Sequence, residues 1–432
     1  MKRHLTFIGA VLVIVLGVCG LAFAQDDASP SGELEIFSWW TGGGEAAGLE
    51  ALIAQFGETY PDVEVVNSAV AGGSGVNARA VLTTRMLGGD PPDTFQVHAG
   101  EELNALWVAA GRMEPLNDLY EANGWLDQYP QGLLDLISDD AGNIYSVPVN
   151  IHRSNVLWYV PANLEEWGVE VPATWQDFVE TTCPTLQEAG ITPLTVGENW
   201  TQVHLWESVA LSELGVEAYN GLWDGSTNWT SPEVVGVFDL FGQILDCTNE
   251  DRDALTWQDA SLRVSNGEAA FNIMGDWAAG YFLVDLALEP ETGFAWAASP
   301  GTDGTFIMLS DTFGLPVGAP NPEAVNAWLS FVGSAEGQDI FNPLKGSLPA
   351  NTSADIENAE LYNAYFQDAY EDWTSNDIVG SLAHGAAAPS AFLDGFANIV
   401  ANFSGSRDSA TAAANAGALA LQTGMITPAA AS

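Results

Sequence analysis

Lysine is almost absent from this chain of 432 residues: Lys2 and Lys345 are its only two. With arginine the basic side chains number 10, against 57 aspartates and glutamates, for a formal net charge of -47. Such a field repels phosphate backbones and anionic head groups, which excludes nucleic-acid binding and adhesion to a membrane through a basic patch. Neutral or cationic ligands remain open. Cysteine is nearly as scarce, with three residues and no CxxC or HExxH spacing, so nothing signals a metal site. No apolar run beyond Leu21 is long enough to span a bilayer, and no internal repeat of about 20 to 50 residues announces a solenoid or propeller. What is present is 47% hydrophobic and only 16% charged, the composition of a globular body of two or three domains, or of one large two-lobed fold.

Residues 1–4, with Lys2, Arg3 and His4, form a short basic start, residues 5–21 form an apolar run, and Ala22-Phe23-Ala24 has the small-x-small form that signal peptidase reads. Residues 1–24 are therefore expected to be an export signal, cleaved before Gln25, with an uncleaved anchor as the alternative. Cys19 follows Leu16-Gly17-Val18, which resembles a lipoprotein box except that Val18 is bulky, so whether Cys19 carries lipid or leaves with the leader stays open. Residues 25–32 read as a flexible tether. Without the leader eight basic side chains remain, and the net charge falls to about -49. Two cysteines also remain, Cys183 and Cys247. In the periplasm or at the cell surface an even pair reads as a disulfide, the alternative being two buried thiols.

After the tether the hydrophobic period alternates. Residues 33–39, 63–70 and 94–98 read as strands, with helices over 45–60 and 76–87 between them and another from residue 101. This β-α-β-α-β-α order predicts a parallel sheet wrapped by helices, with ligands beyond the carboxyl ends of its strands. From residue 143 two extended stretches, 144–149 and 156–160, flank the polar quartet Asn150-Ile151-His152-Arg153, as expected where a chain passes from one lobe to another. Thr174 with Asp177 predicts a capped helix, and further helices fit 201–214, 233–245, 259–265 and 278–288. Strands are expected at 271–274, 305–309 and 314–317, and a helical tail from residue 355.

The scarce side chains are the informative ones. Lys345 lies in Asn342-Pro343-Leu344-Lys345-Gly346-Ser347, read as a turn-rich loop that displays its ammonium. Beyond His4 there are four histidines. His98 sits at a strand end, His152 in the crossover and His384 in a loop, whereas His204, on a helix beside Trp200, reads as a packed core residue. Neutral imidazoles both donate and accept, which suits a ligand made of hydroxyls. Among 16 tryptophans, Trp39, Trp40, Trp257 and Trp277 adjoin turns or strand ends, where an indole can stack on the C-H face of a sugar. Glu45 and Asp311 each follow a strand; an ionised carboxylate there can accept two adjacent hydroxyls. The same two acids could serve a glycoside hydrolase as acid and base, and the charge alone suggests a polyamine receptor. The glycine loop at 72–75 lacks phosphate-loop spacing and is set aside.

Together these stretches resemble the extracytoplasmic solute-binding proteins of ABC sugar importers, of the glucose/galactose (glucose/mannose)-binding type. The resemblance runs from about Glu33 to Thr423 and is carried by Leu34-Glu35-Ile36-Phe37-Ser38-Trp39-Trp40, by Gly89-Asp90-Pro91-Pro92-Asp93-Thr94-Phe95-Gln96-Val97-His98, by Val147-Pro148-Val149-Asn150-Ile151-His152-Arg153, by Met274-Gly275-Asp276-Trp277 and by Phe341-Asn342-Pro343-Leu344-Lys345-Gly346. It implies an α/β fold of two lobes with a ligand cleft between them, residues 33–148 with 299–345 in one and 149–298 with 346–425 in the other. It further implies that Trp39, Trp40, Glu45, Gln96, His98, His152, Trp257, Trp277, Asp311, Lys345 and His384 line a site for glucose, galactose or mannose. The expected protein is a monomer without cofactor that binds a monosaccharide, performs no chemistry and delivers it to membrane permease subunits. Replacing Asp311 or Lys345 by alanine is expected to weaken hexose binding at least tenfold and to leave stability near wild type.

Overall fold

A computed structural model describes residues 29–72 and 75–427; the leader, Cys19 and residues 25–28 of the tether lie outside them. The strands are β1 (Gly32–Phe37), β2 (Val63–Asn67), β3 (Thr94–His98), β4 (Ser146–Pro148), β5 (His152–Arg153), β6 (Val156–Tyr159), β7 (Thr192–Thr195), β8 (Ala269–Ile273), β9 (Ala295–Ala298), β10 (Thr305–Leu309), β11 (Asp311–Gly314) and β12 (Asp377–Gly380). They form three sheets of order β2-β1-β3-β11-β4, β12-β10-β5 and β7-β8-β6-β9. The expected α/β fold with a parallel start is present: β1 pairs in parallel with both β2 and β3. Two later strands then extend that sheet: β11 runs antiparallel to β3, and β4, antiparallel to β11, restores the sense of β3.

Two apolar cores give the molecule its lobes. One gathers Leu34, Ile36, Leu49, Phe95, Val97, Phe313 and Trp328, and the other Trp175, Trp206, Phe238, Phe271, Phe396 and Phe403. Leu348, Tyr362, Tyr365 and Phe366 pack into the first core. Cys183 and Cys247 are bonded to each other within the second, which ties the helix Cys183–Glu188 to the end of the helix Pro232–Leu245. Among the described residues no helix is long and apolar enough to cross a membrane.

Between the lobes the chain crosses in strands that touch. Only Ser310 separates β10, in the second sheet, from β11, in the first. Leu309 is therefore paired with His152 of β5 while Asp311 is paired with His98 of β3. Ser310 Oγ donates to the Asn150 carbonyl at 2.7 Å, and the Asp311 N–H donates to Asn150 Oδ1 at 2.8 Å. A third segment joins them, Ile151 and Leu348 exchanging backbone hydrogen bonds of 2.8 and 2.9 Å.

Several local expectations change. Lys345 is not in a loop: it is the last residue of the helix Ala335–Lys345, which contains Pro343 and is closed by Gly346 at φ +89°. A Cβ on Gly346 would lie 2.4 Å from the Gly280 nitrogen, so both its conformation and its close approach demand glycine. Asp311 follows β10 as expected, after Ser310 alone, but it also opens the next strand, and His152 belongs to β5 instead of a spacer. The helical tail is interrupted by β12, an edge strand of four residues parallel to β10. Such short strands leave too little sequence for a period to register, and β7 and β9, equally short, are unforeseen for the same reason.

Candidate functional site

The ends of all three sheets converge on one cavity of about 320 Å³, near the lower end of small-molecule sites. β3 brings His98 and β11 brings Asp311 from the first sheet. β5 brings His152 from the second, as does the loop after β12, which carries His384. The turn after β8 in the third sheet brings Trp277. The helix Gly43–Thr59 presents Glu45 in its first turn, and the helix Trp257–Ser265 presents Trp257 at its first position. That second start is fixed by its own sequence, since Thr256 and Asp259 form a reciprocal capping box. Trp277 folds back over Gly275, where a Cβ would meet its ring at 2.1 Å.

Nine of the eleven residues expected at a ligand site line this cavity: Trp39, Glu45, His98, His152, Trp257, Trp277, Asp311, Lys345 and His384. The other two stand behind it. Trp40 is buried against Phe313 and Phe341, with its ring 5.8 Å from Lys345 Nζ. Gln96 accepts from the Trp39 N–H at 3.1 Å and donates to Asp311 Oδ1 at 2.7 Å. Thr41, Glu198 and Gln258 also line the cavity and carried no signal in the sequence, being common polar types, and Thr256 joins them, its spacing to Asp259 marking a helix start and not a site.

Asp311 is the electrostatic centre. Its Oδ1 receives Gln96, its Oδ2 receives Asn150 Nδ2 at 2.8 Å, and His152 Nε2 lies 3.3 Å from Oδ2. Burial alone would raise its pKa, but the His152 hydrogen bond and the charges of Lys345, His152 and His98 hold the carboxyl well below the usual range. It is an anion at any physiological pH. Burial would likewise lower the His152 pKa, and Asp276, bonded to Nδ1, overcomes this and raises it. Lys345 Nζ donates to Glu45 Oε1 at 2.9 Å and sits 5.8 Å from the Trp277 ring. Burial, reinforced by the charges of three other imidazoles, keeps the His384 pKa well below its ordinary value, so that ring is neutral.

The fold also gathers what spacing did not. His204, on the helix Asn199–Asp224, and His384 come together with Glu207, close enough for the three to share an ion. Glu207 and one nitrogen of each ring are nevertheless committed to protein partners, while His204 Nδ1 and His384 Nε2 have none among the described residues. Glu207 receives Ser154 Oγ at 2.7 Å and the Ala383 N–H at 3.0 Å, and His204 Nε2 donates to the Ser154 carbonyl at 2.8 Å. The core role expected of His204 agrees with its full burial.

Planar apolar rings, a fixed anion, an ammonium and the neutral imidazole of His384 around a small cavity make a set that orients hydroxyls. As an acid-base pair it is poorly matched, because Asp311 holds no proton to give and Glu45 is paired to Lys345. The comparisons with known proteins agree. Residues 41–339 match the family described as bacterial extracellular solute-binding protein. An uncharacterized ABC transporter extracellular-binding protein of Pyrococcus horikoshii is 35% identical over 87% of this chain and 84% of its own length. A xylose/arabinose-binding protein of Haloferax volcanii is 30% identical over 82% of this chain and 77% of its own. Among solved structures, a bacterial solute receptor described as exclusively preferring β-D-galactopyranose superposes with a TM-score of 0.79 at 19% identity, covering 90% of this chain and 99% of that one. These are solute-binding proteins and not enzymes, so the hydrolase alternative falls away. With more than half its length inside the family match, the chain belongs to the bacterial extracellular solute-binding proteins.

Proposed function

We propose that this protein is exported, captures a neutral hexose in the cavity between its lobes and hands it unaltered to the membrane subunits of an ABC importer. The observation that carries the reading is the meeting of Trp39, Trp257 and Trp277 with Asp311, Lys345 and His384 around one cavity of monosaccharide scale. Indole faces suit the C-H faces of a pyranose, and the ionised groups suit its hydroxyls. Kinship to a protein named for xylose and arabinose supports a sugar in general, and makes pentoses the comparison that matters. A polyamine is poorly served: the Lys345 ammonium already stands beside the Asp311 carboxylate and is paired with Glu45, so a second cation there meets a like charge.

Thermal unfolding in the presence of glucose, galactose, mannose, xylose, maltose and spermidine tests this. A hexose at about a hundred times its Kd adds roughly 2.7 kcal/mol, so a hexose is expected to raise the Tm most. A shift with spermidine alone, or with none of them, would overturn the proposal. Lys345→Ala is expected to weaken hexose binding about tenfold, because it removes one charge-assisted donor and releases Glu45 into the cavity. Calorimetric titration checks it; unchanged affinity would take Lys345 out of the site.

A further inference from the structure

His384 is 4% exposed and lines the cavity, yet its Nε2 has no partner among the described residues. Its Nδ1 lies 2.9 Å from Ser381 Oγ, and Ser381 Oγ lies 3.0 and 3.1 Å from the two oxygens of Glu207. Glu207 is wholly buried and comes from a different element, the long helix Asn199–Asp224. Its other contacts, Ser154 Oγ and the Ala383 N–H, are both donors.

The proton count along this chain has one solution when Glu207 is ionised. A carboxylate only accepts, so the single Ser381 hydroxyl proton goes to Glu207. Ser381 can then meet His384 only as an acceptor, which requires the proton of the imidazole to sit on Nδ1. We propose that Glu207 is a positioning residue which, through Ser381, fixes the His384 tautomer with Nε2 as a bare acceptor, so that the ligand must present an O–H donor there. A buried polar atom without a partner is costly, and a ligand hydroxyl would relieve that cost. A sugar carrying hydrogen or fluorine in place of that hydroxyl could not. The ligand half of this proposal rests on the sugar-binding reading above; the tautomer half does not.

The test uses the full chain labelled with ¹⁵N-histidine, without ligand, at pH 8.5. Burial raises the Glu207 pKa to about 7 against its hydrogen bonds, so the carboxyl is ionised at that pH. The His384 ring is expected to show a protonated Nδ1 and an unprotonated Nε2. In Glu207→Gln the new amide can donate to Ser381, whose proton then turns to His384 Nδ1, and the pattern should invert to a protonated Nε2. Hexose affinity measured by calorimetry should fall about tenfold in the same variant. Should Glu207→Gln not fold, Ser381→Ala removes the acceptor and should abolish the pure Nδ1–H form. A wild-type ring protonated on Nε2, or an imidazole signature unmoved by either variant, would overturn the proposal. If the tautomer is as stated and no sugar binds, the proposed function fails while the assignment of the relay stands.

Discussion

Asp311→Asn should bind hexose at least tenfold more weakly than wild type, and Asp311→Ala about a hundredfold, with a loss of stability in the alanine variant that the sequence does not suggest. The carboxylate is 2% exposed and serves protein donors on both oxygens, Gln96 at 2.7 Å and Asn150 at 2.8 Å. Charge-assisted bonds to ligand hydroxyls contribute roughly 1.5 to 3 kcal/mol each, and losing about 3 kcal/mol corresponds to two decades of affinity. In the alanine variant those donors are orphaned and the nearby Lys345 and His152 each lose one anionic neighbour while keeping Glu45 and Asp276, a loss bounded by the about 3 to 5 kcal/mol that breaking a buried pair costs. The expectation of unchanged stability treats Asp311 as a loop residue, whereas it opens a buried strand. Asparagine keeps the shape and one acceptor, so it separates the charge from the packing. Calorimetric titration and thermal melts of both variants check this; full hexose affinity in Asp311→Asn would show that the anion does not touch the ligand.

Replacing Cys183 and Cys247 together by serine should lower stability without changing affinity. The bond closes a loop with a sequence separation of 64, and in the chain-entropy account such a crosslink contributes about 4 kcal/mol. Shared over a lobe of about 200 residues, this is a fall in Tm on the order of 10 °C. The bond lies in the second core, and neither cysteine lines the cavity. Hexose affinity below the new melting point should therefore equal that of wild type. A melt that does not move would mean that the reduced chain already holds this loop together. A tenfold loss of affinity would mean that the second core governs the cleft directly.

How much could be read from the sequence depends on how local each signal is. The alternation from Glu33 to His98 carries its own period, so the parallel start of the first sheet is legible, as is the capped start at Thr174, where the side chain accepts from the Asp177 N–H. Trp39 and Trp40 show the limit. Both follow β1, but neighbours in extended chain point to opposite sides, so only one can face the cavity, and Trp40 turns to the core. Gln96 and His98 share a side, and Gln96, two residues back from the strand end, braces Asp311 instead of facing the cavity. The supporting acids were illegible for another reason. Asp276 and Glu207 are two among 57 carboxylates, and they meet His152 and Ser381 across 124 and 174 residues of chain. Only the folding of distant segments against one another selects them. Scarcity did the opposite for Lys345 and the histidines, because few alternatives competed with each.

The central claim is that aromatic plates and fixed charges around this one cavity hold a neutral monosaccharide. A crystal structure of the protein grown with glucose or galactose tests it most directly. The expected map shows one pyranose in the cavity, with a face on Trp39, Trp257 or Trp277 and hydroxyls within hydrogen-bond distance of Asp311, Lys345 and His384. A cavity holding only solvent at saturating sugar, or a sugar bound elsewhere on the surface, would contradict it.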